Sequence, residues 1–129
     1  MEVKVALDTN RLTDLFRGDS ALASHLGTCD EVWIPLPVLG EIRAGFYGGA
    51  RQEHNEVLLQ RLLAKPNVDV LLPERETAAH YARLFVQLKR AGTPIPDNDL
   101  WIAALALQHN LPLITRDAHF RRIRQLLRL

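Results

Sequence analysis

Short apolar runs alternate with stretches of helical spacing along the whole of this chain. Val3 to Leu7 (VKVAL) favours β structure and predicts a first strand. Asp8-Thr9-Asn10 ends it, and LTDLF starts a helix. Asp19 or Ser20 caps a second short helix, ALASHLG, that closes at Gly27. Glu31 to Pro35 (EVWIP) reads as a second strand, after which Pro37 opens a helix running to Gly48-Gly49. Gln52 to Ala64 is amphipathic and ends at Lys65-Pro66, and VDVLL predicts a third strand. Glu74 to Arg90 is a long helix stopped by Gly92. TPIP is an extended linker, because residues before proline avoid the α region. A helix then runs from about Asp97 to Asn110, LPLIT is a fourth strand, and Asp117 to Leu127 is helical at least in part.

Strands alternating with helices imply an α/β layered fold with a mainly parallel sheet. The length, 129 residues, fits one domain spanning the chain. Composition narrows the class only slightly. Apolar residues make up 47% and charged residues 24%, an ordinary globular balance. No apolar run approaches the ~20 residues of a membrane span, and the first residues lack a signal-peptide layout. Cys29 is the only cysteine, which excludes an internal disulfide or a cysteine-based zinc site and favours a reducing, cytoplasmic setting. The net charge of +1 does not by itself point to nucleic acid. The tail from Arg116 carries five arginines and one acid; it suits RNA phosphates or a solvated helix face equally.

Candidate chemistry comes from the acids. Asp8 follows strand one and Asp117 follows strand four. Open parallel sheets bind ligands beyond the carboxyl ends of their strands, where strand order reverses. Glu41 lies at the edge of an apolar stripe, beside Val38, Ile42 and Gly45 on the helical wheel; a snorkelling surface glutamate is the competing reading. Asp97 and Asp99 precede LWIAALAL, a segment with no polar face. One acid is accounted for as an N-cap, and Asp97 takes that role for roughly 1 kcal/mol. Asp99 has no such local reason, since an unpaired buried carboxylate costs several kcal/mol. Asp8, Glu41, Asp99 and Asp117 on one sheet edge would repel one another unless a divalent cation is bound. All-oxygen donors suit Mg²⁺ or Mn²⁺, ions that serve phosphodiester chemistry. Thr9 and Thr115 stand within two residues of an acid and are candidates to orient it; Arg43 and Arg116 are candidates to pair an acid or contact phosphate. The histidines are scattered, and His119 reads as a helix-surface residue.

Four motifs, LDTN, GEIRAG, PDNDLWIAALAL and LITRDAHF, resemble those of the PIN-domain ribonucleases, and within them the VapC-type toxins of toxin–antitoxin pairs. They stand in family order and span nearly the whole chain. The resemblance implies a three-layer α/β/α domain with strand order 3-2-1-4-5. It implies Asp8, Glu41, Asp99 and Asp117 as catalytic acids, with Asp8, Asp99 and Asp117 holding Mg²⁺ or Mn²⁺. Thr9 and Thr115 match the hydroxyl positions beside them. It further implies cleavage of single-stranded or loop RNA by a water activated on the bound ion, a homodimer, and neutralisation by a VapB-like antitoxin reaching into the acid pocket. The last acid is often asparagine in that family. For the fifth strand only LLRL at the end is available. Two other classes compete: a non-cutting PIN-like module that binds RNA or protein, and a phosphatase using Asp8 as nucleophile. The phosphatase class expects a second acid where Asn10 stands.

Overall fold

A computed structural model describes residues 1–129. Four strands form its sheet: β1 (Lys4–Leu7), β2 (Glu31–Pro35), β3 (Val68–Leu71) and β4 (Leu113–Ile114). Their order is β3-β2-β1-β4, and every neighbouring pair is parallel. Val5, Ala6 and Leu7 of β1 are all buried. Successive strand residues point to opposite faces, so the central strand is covered on both sides, as a layered α/β/α fold requires.

The covering helices are α1 (Thr9–Phe16), α2 (Ser20–Gly27), α3 (Leu36–Tyr47), α4 (Gln52–Leu63), α5 (Arg75–Arg90) and α6 (Asp97–Gln108). Helix α3 packs on α1, α4 and α6, while α6 also lies along α5. Asp19 caps α2 by accepting from Leu22 N–H at 3.0 Å. One apolar cluster runs through the whole molecule, and Leu100, Ile102, Ala103, Ala104, Leu105 and Ala106 of α6 all belong to it. The alanines let neighbouring elements approach α6 closely, and Leu105, fully buried, is a position where truncation to alanine costs about 2–5 kcal/mol.

Two expectations are corrected and a third is made specific. The fifth strand is reduced to one parallel bridge, Leu113 to Arg128. The terminal residues still lie beside β4: Leu113 N–H donates to Leu127 O at 2.8 Å and Leu129 N–H to Leu113 O at 2.9 Å. The segment after Asp117 is helical in part, as expected, in the form of a short 3₁₀ helix, Ala118–Arg122. Asp97 is not a cap. Helix α6 begins at Asp97 itself after Pro96, with no side-chain cap, and the Asp97 carboxylate accepts from the Tyr81 hydroxyl instead.

Candidate functional site

The parallel pairing of β1 with β4 brings two distant chain segments together at the carboxyl edge of the sheet. Asp8 follows β1, and its N–H donates to Ile114 O at 3.1 Å. Thr115 follows β4. Its hydroxyl donates to Asp8 Oδ2 at 2.8 Å and accepts from Asp117 N–H at 3.0 Å. One hydroxyl thus ties the first acid to the last. Thr9 does the corresponding work across α1 and α3, donating to Glu41 Oε1 at 3.1 Å. Asp8 also caps α1, accepting from Thr9 N–H at 2.7 Å.

Asp99, in the first turn of α6, and Asp117 meet through a residue that the sequence reading left on the surface. His119 Nδ1 lies 3.0 Å from Asp99 Oδ2 and 3.3 Å from Asp117 Oδ1. The cause is the 3₁₀ turn. Asp117 caps it by accepting from His119 N–H at 2.9 Å, which folds the imidazole back over its own cap. Donor atoms of Asp99, Asp117 and His119 lie within 4.8 Å of one another. Asp8 is not in that tight group; it stands behind it, 3% exposed.

The electrostatics are those of crowded carboxylates. Burial pushes the Asp8 carboxyl up to about 6; the Thr115 and Thr9 hydrogen bonds oppose this, and the charges of Asp99 and Asp117 add to it. Burial also raises Glu41 and Asp99; Asp117 adds to both, while Thr9 and His119 respectively oppose. No guanidinium lies within ion-pair distance of these acids, although the Arg116 charge reaches Asp117 and Asp8 from further off. Arg43 is turned away to Glu56 on α4, at 2.9 Å. Arg116 forms a two-bond pair with Asp14, at 2.9 and 3.1 Å, and Asp14 is shared with Arg11. Both arginines, candidates to pair an acid or contact phosphate, do pair an acid, but one outside the cluster. Arg43 instead joins two helices, and Arg116 pins α1 to the loop after β4. A cluster of carboxylates, Asp8 buried and the others half-buried, with no guanidinium paired to any of them and three donors closely spaced, fits a divalent cation.

The chain is similar to known proteins over nearly its whole length. A family model described as PIN domain matches residues 5–126. The chain is 32% identical over 125 residues to Ribonuclease VapC1 of Haemophilus influenzae (strain R2866), covering 93% of this chain and 92% of the relative. It is 33% identical over 91 residues to Ribonuclease VapC5 of Mycobacterium tuberculosis, covering 70% and 67%. Among solved structures, VapBC-1 from nontypeable Haemophilus influenzae matches with a TM-score of 0.86 at 30% identity over 98% of this chain and 97% of that one. VapBC2 from Rickettsia felis matches in fold, with a TM-score of 0.89 at 24% identity over 98% of each chain. The acids at the sheet edge, the all-parallel order and these relatives lead to one assignment: the chain belongs to the PIN-domain family.

Proposed function

We propose that this chain is a divalent-metal-dependent endoribonuclease acting on single-stranded or loop RNA, the toxin of a toxin–antitoxin pair. The carrying observation is the convergence of Asp8, Asp99 and Asp117 from three parts of the chain onto one sheet edge, with no guanidinium paired to any of them. Asp99, Asp117 and His119 would hold the ion, with Asp8 supporting from behind. When bound, the ion neutralises the phosphate and makes a water more acidic. Asp8, buried behind those donors and held by Thr115, would fix the position of the ion and its water. Thr115 fixes Asp8 relative to Asp117, and Thr9 fixes Glu41 at the edge of the pocket. The His119 nitrogen tilts an otherwise carboxylate donor set from Mg²⁺ towards Mn²⁺.

The names of the solved relatives, VapBC complexes, support a VapB-like antitoxin as partner. An unneutralised acid pocket would accept a basic side chain from such a partner. A homodimer and a cytoplasmic setting complete the reading. No helix is long and apolar enough to cross a membrane.

Asp8→Asn and Asp99→Asn are expected to lower Mn²⁺-supported RNA cleavage about a thousandfold, some 4 kcal/mol of barrier. Both should keep the wild-type circular dichroism spectrum and abolish growth arrest on induction. Full cleavage by both variants would overturn the proposal.

A further inference from the structure

A cleft leads away from the acids between α1, α3 and α4. It shares Thr9 and Glu41 with them and encloses about 570 Å³, enough for a nucleotide. Gly45, one helical turn after Glu41, lines it. A side chain placed on Gly45 would meet no atom within 4 Å, and the residue does not have positive φ. Glycine weakens a helix interior relative to alanine. Neither backbone conformation nor internal packing accounts for it here, and the open space beside it leaves room for close approach from outside the chain.

The charge of the cleft points to what that is. Arg11, Arg43 and Arg116 are each bound to a carboxylate. Arg17 and Arg51, which wall the cleft, are exposed and make no ion pair. The lining contains one carboxylate, Glu41, at the end that joins the acids. Phe16 and Phe46, with ring centroids 6.0 Å apart, add apolar surface. Two free guanidiniums beside an apolar patch suit an anion with a ring attached.

We propose that this cleft holds the nucleotide flanking the cleaved phosphodiester of a single-stranded RNA. Its phosphate faces Arg17 and Arg51, and its backbone lies against the bare surface of Gly45. The inference rests on the ribonuclease reading and adds a place for the strand beyond the acids.

The test uses the full chain and two probes. One is fluorescein-labelled single-stranded RNA of mixed sequence, its binding measured by anisotropy in an Asp99→Asn background. The other is bis(p-nitrophenyl) phosphate with Mn²⁺, a phosphodiester small enough to report on the acids alone. Gly45→Leu, and Arg17→Ala combined with Arg51→Ala, should each weaken RNA binding about tenfold; the arginine pair should also reduce the salt slope by about 1.4. In the otherwise unaltered chain, the same changes should leave turnover of the small ester within about twofold, since they lie outside the acids. RNA affinity unchanged in both variants overturns the proposal. So does loss of antitoxin binding with RNA affinity intact, which would make the cleft a protein groove. Absence of small-ester turnover by the unaltered chain, with RNA binding still sensitive to these substitutions, overturns the ribonuclease reading and leaves the cleft assigned.

Discussion

Helices α5 and α6 lie side by side and obey opposite rules. Helix α5 follows local chemistry. Thr77 Oγ1 accepts from Glu74 N–H at its start, Glu76 stands in its first turn, and Lys89 and Arg90 stand in its last. Leu84 and Leu88, four residues apart, form its buried stripe, while Phe85 and Val86 are exposed. Helix α6 has no side-chain cap, no base in its last turn and apolar residues all round. Its two acids do different things: Asp97 meets Tyr81, and Asp99 faces a pocket of like charge. Acids near a helix start normally gain from its dipole. At Asp99 burial and Asp117 outweigh that gain, since its carboxyl stays above the ordinary value. A departure from local rules that packing does not require marks a functional position.

The strongest way to break this contrast is through pH. For Asp8 the folded-state carboxyl sits at about 6 against an ordinary value of 3.8. A carboxyl raised on folding stabilises the fold only while protonated. Its contribution is complete below the ordinary value and is lost as pH rises through about 6. The interval corresponds to about 3 kcal/mol. Metal-free protein should therefore lose stability between about pH 4 and about pH 7, read as a falling urea midpoint. Glu41 and Asp99 shift in the same direction and add to the loss. Asp8→Asn should flatten the profile. A midpoint that rises over this range would place the acids in an unstrained setting.

Adding a divalent ion should reverse that loss. At a hundredfold excess over Kd, Mn²⁺ should stabilise the chain by about 2.7 kcal/mol, measured as a shift in Tm. Asp99→Asn should remove the shift, and His119→Ala should weaken Mn²⁺ binding about tenfold. An unchanged Kd in His119→Ala would return that histidine to the surface role read from the sequence.

On the α5 side the effects are smaller and structural. Thr77 is fully buried and its hydroxyl also donates to Gln108 Oε1 at 2.5 Å. Thr77→Val should cost about 1–2 kcal/mol of stability and leave RNA cleavage unchanged. Smallest is Tyr81→Phe, which removes the bond to Asp97 at the surface. It should cost below about 1 kcal/mol and leave activity intact. A loss of activity there would mean that Asp97 works with Asp99 rather than beside it.

The sequence was legible where position in an element decides the outcome. An acid directly after a parallel strand reaches the sheet's carboxyl edge whatever else happens, which covers Asp8 and Asp117. Asp99 stood out because the segment behind it had no polar face. Illegible features depended on geometry one level up. His119 faces Asp99 because residues 118–122 form a 3₁₀ turn; continuous α-helix would have carried the ring elsewhere. Arg43 stands two residues from Glu41, so helical rotation sends it to Glu56 on a neighbouring helix that no local pattern identifies. Asp97 misled because the helix begins one residue earlier than capping chemistry implied.

The bond between Thr115 and Asp8 closes a separation of 107 residues. Chains with such distant contacts fold late, since loop closure must precede the contact that rewards it. During synthesis Asp8 emerges early, then waits for Asp99, Thr115 and Asp117 far along the chain. A nascent fragment that stops short of Thr115 therefore carries no assembled acid pocket. The order in which the segments are made thus separates the appearance of the first acid from the completion of the site.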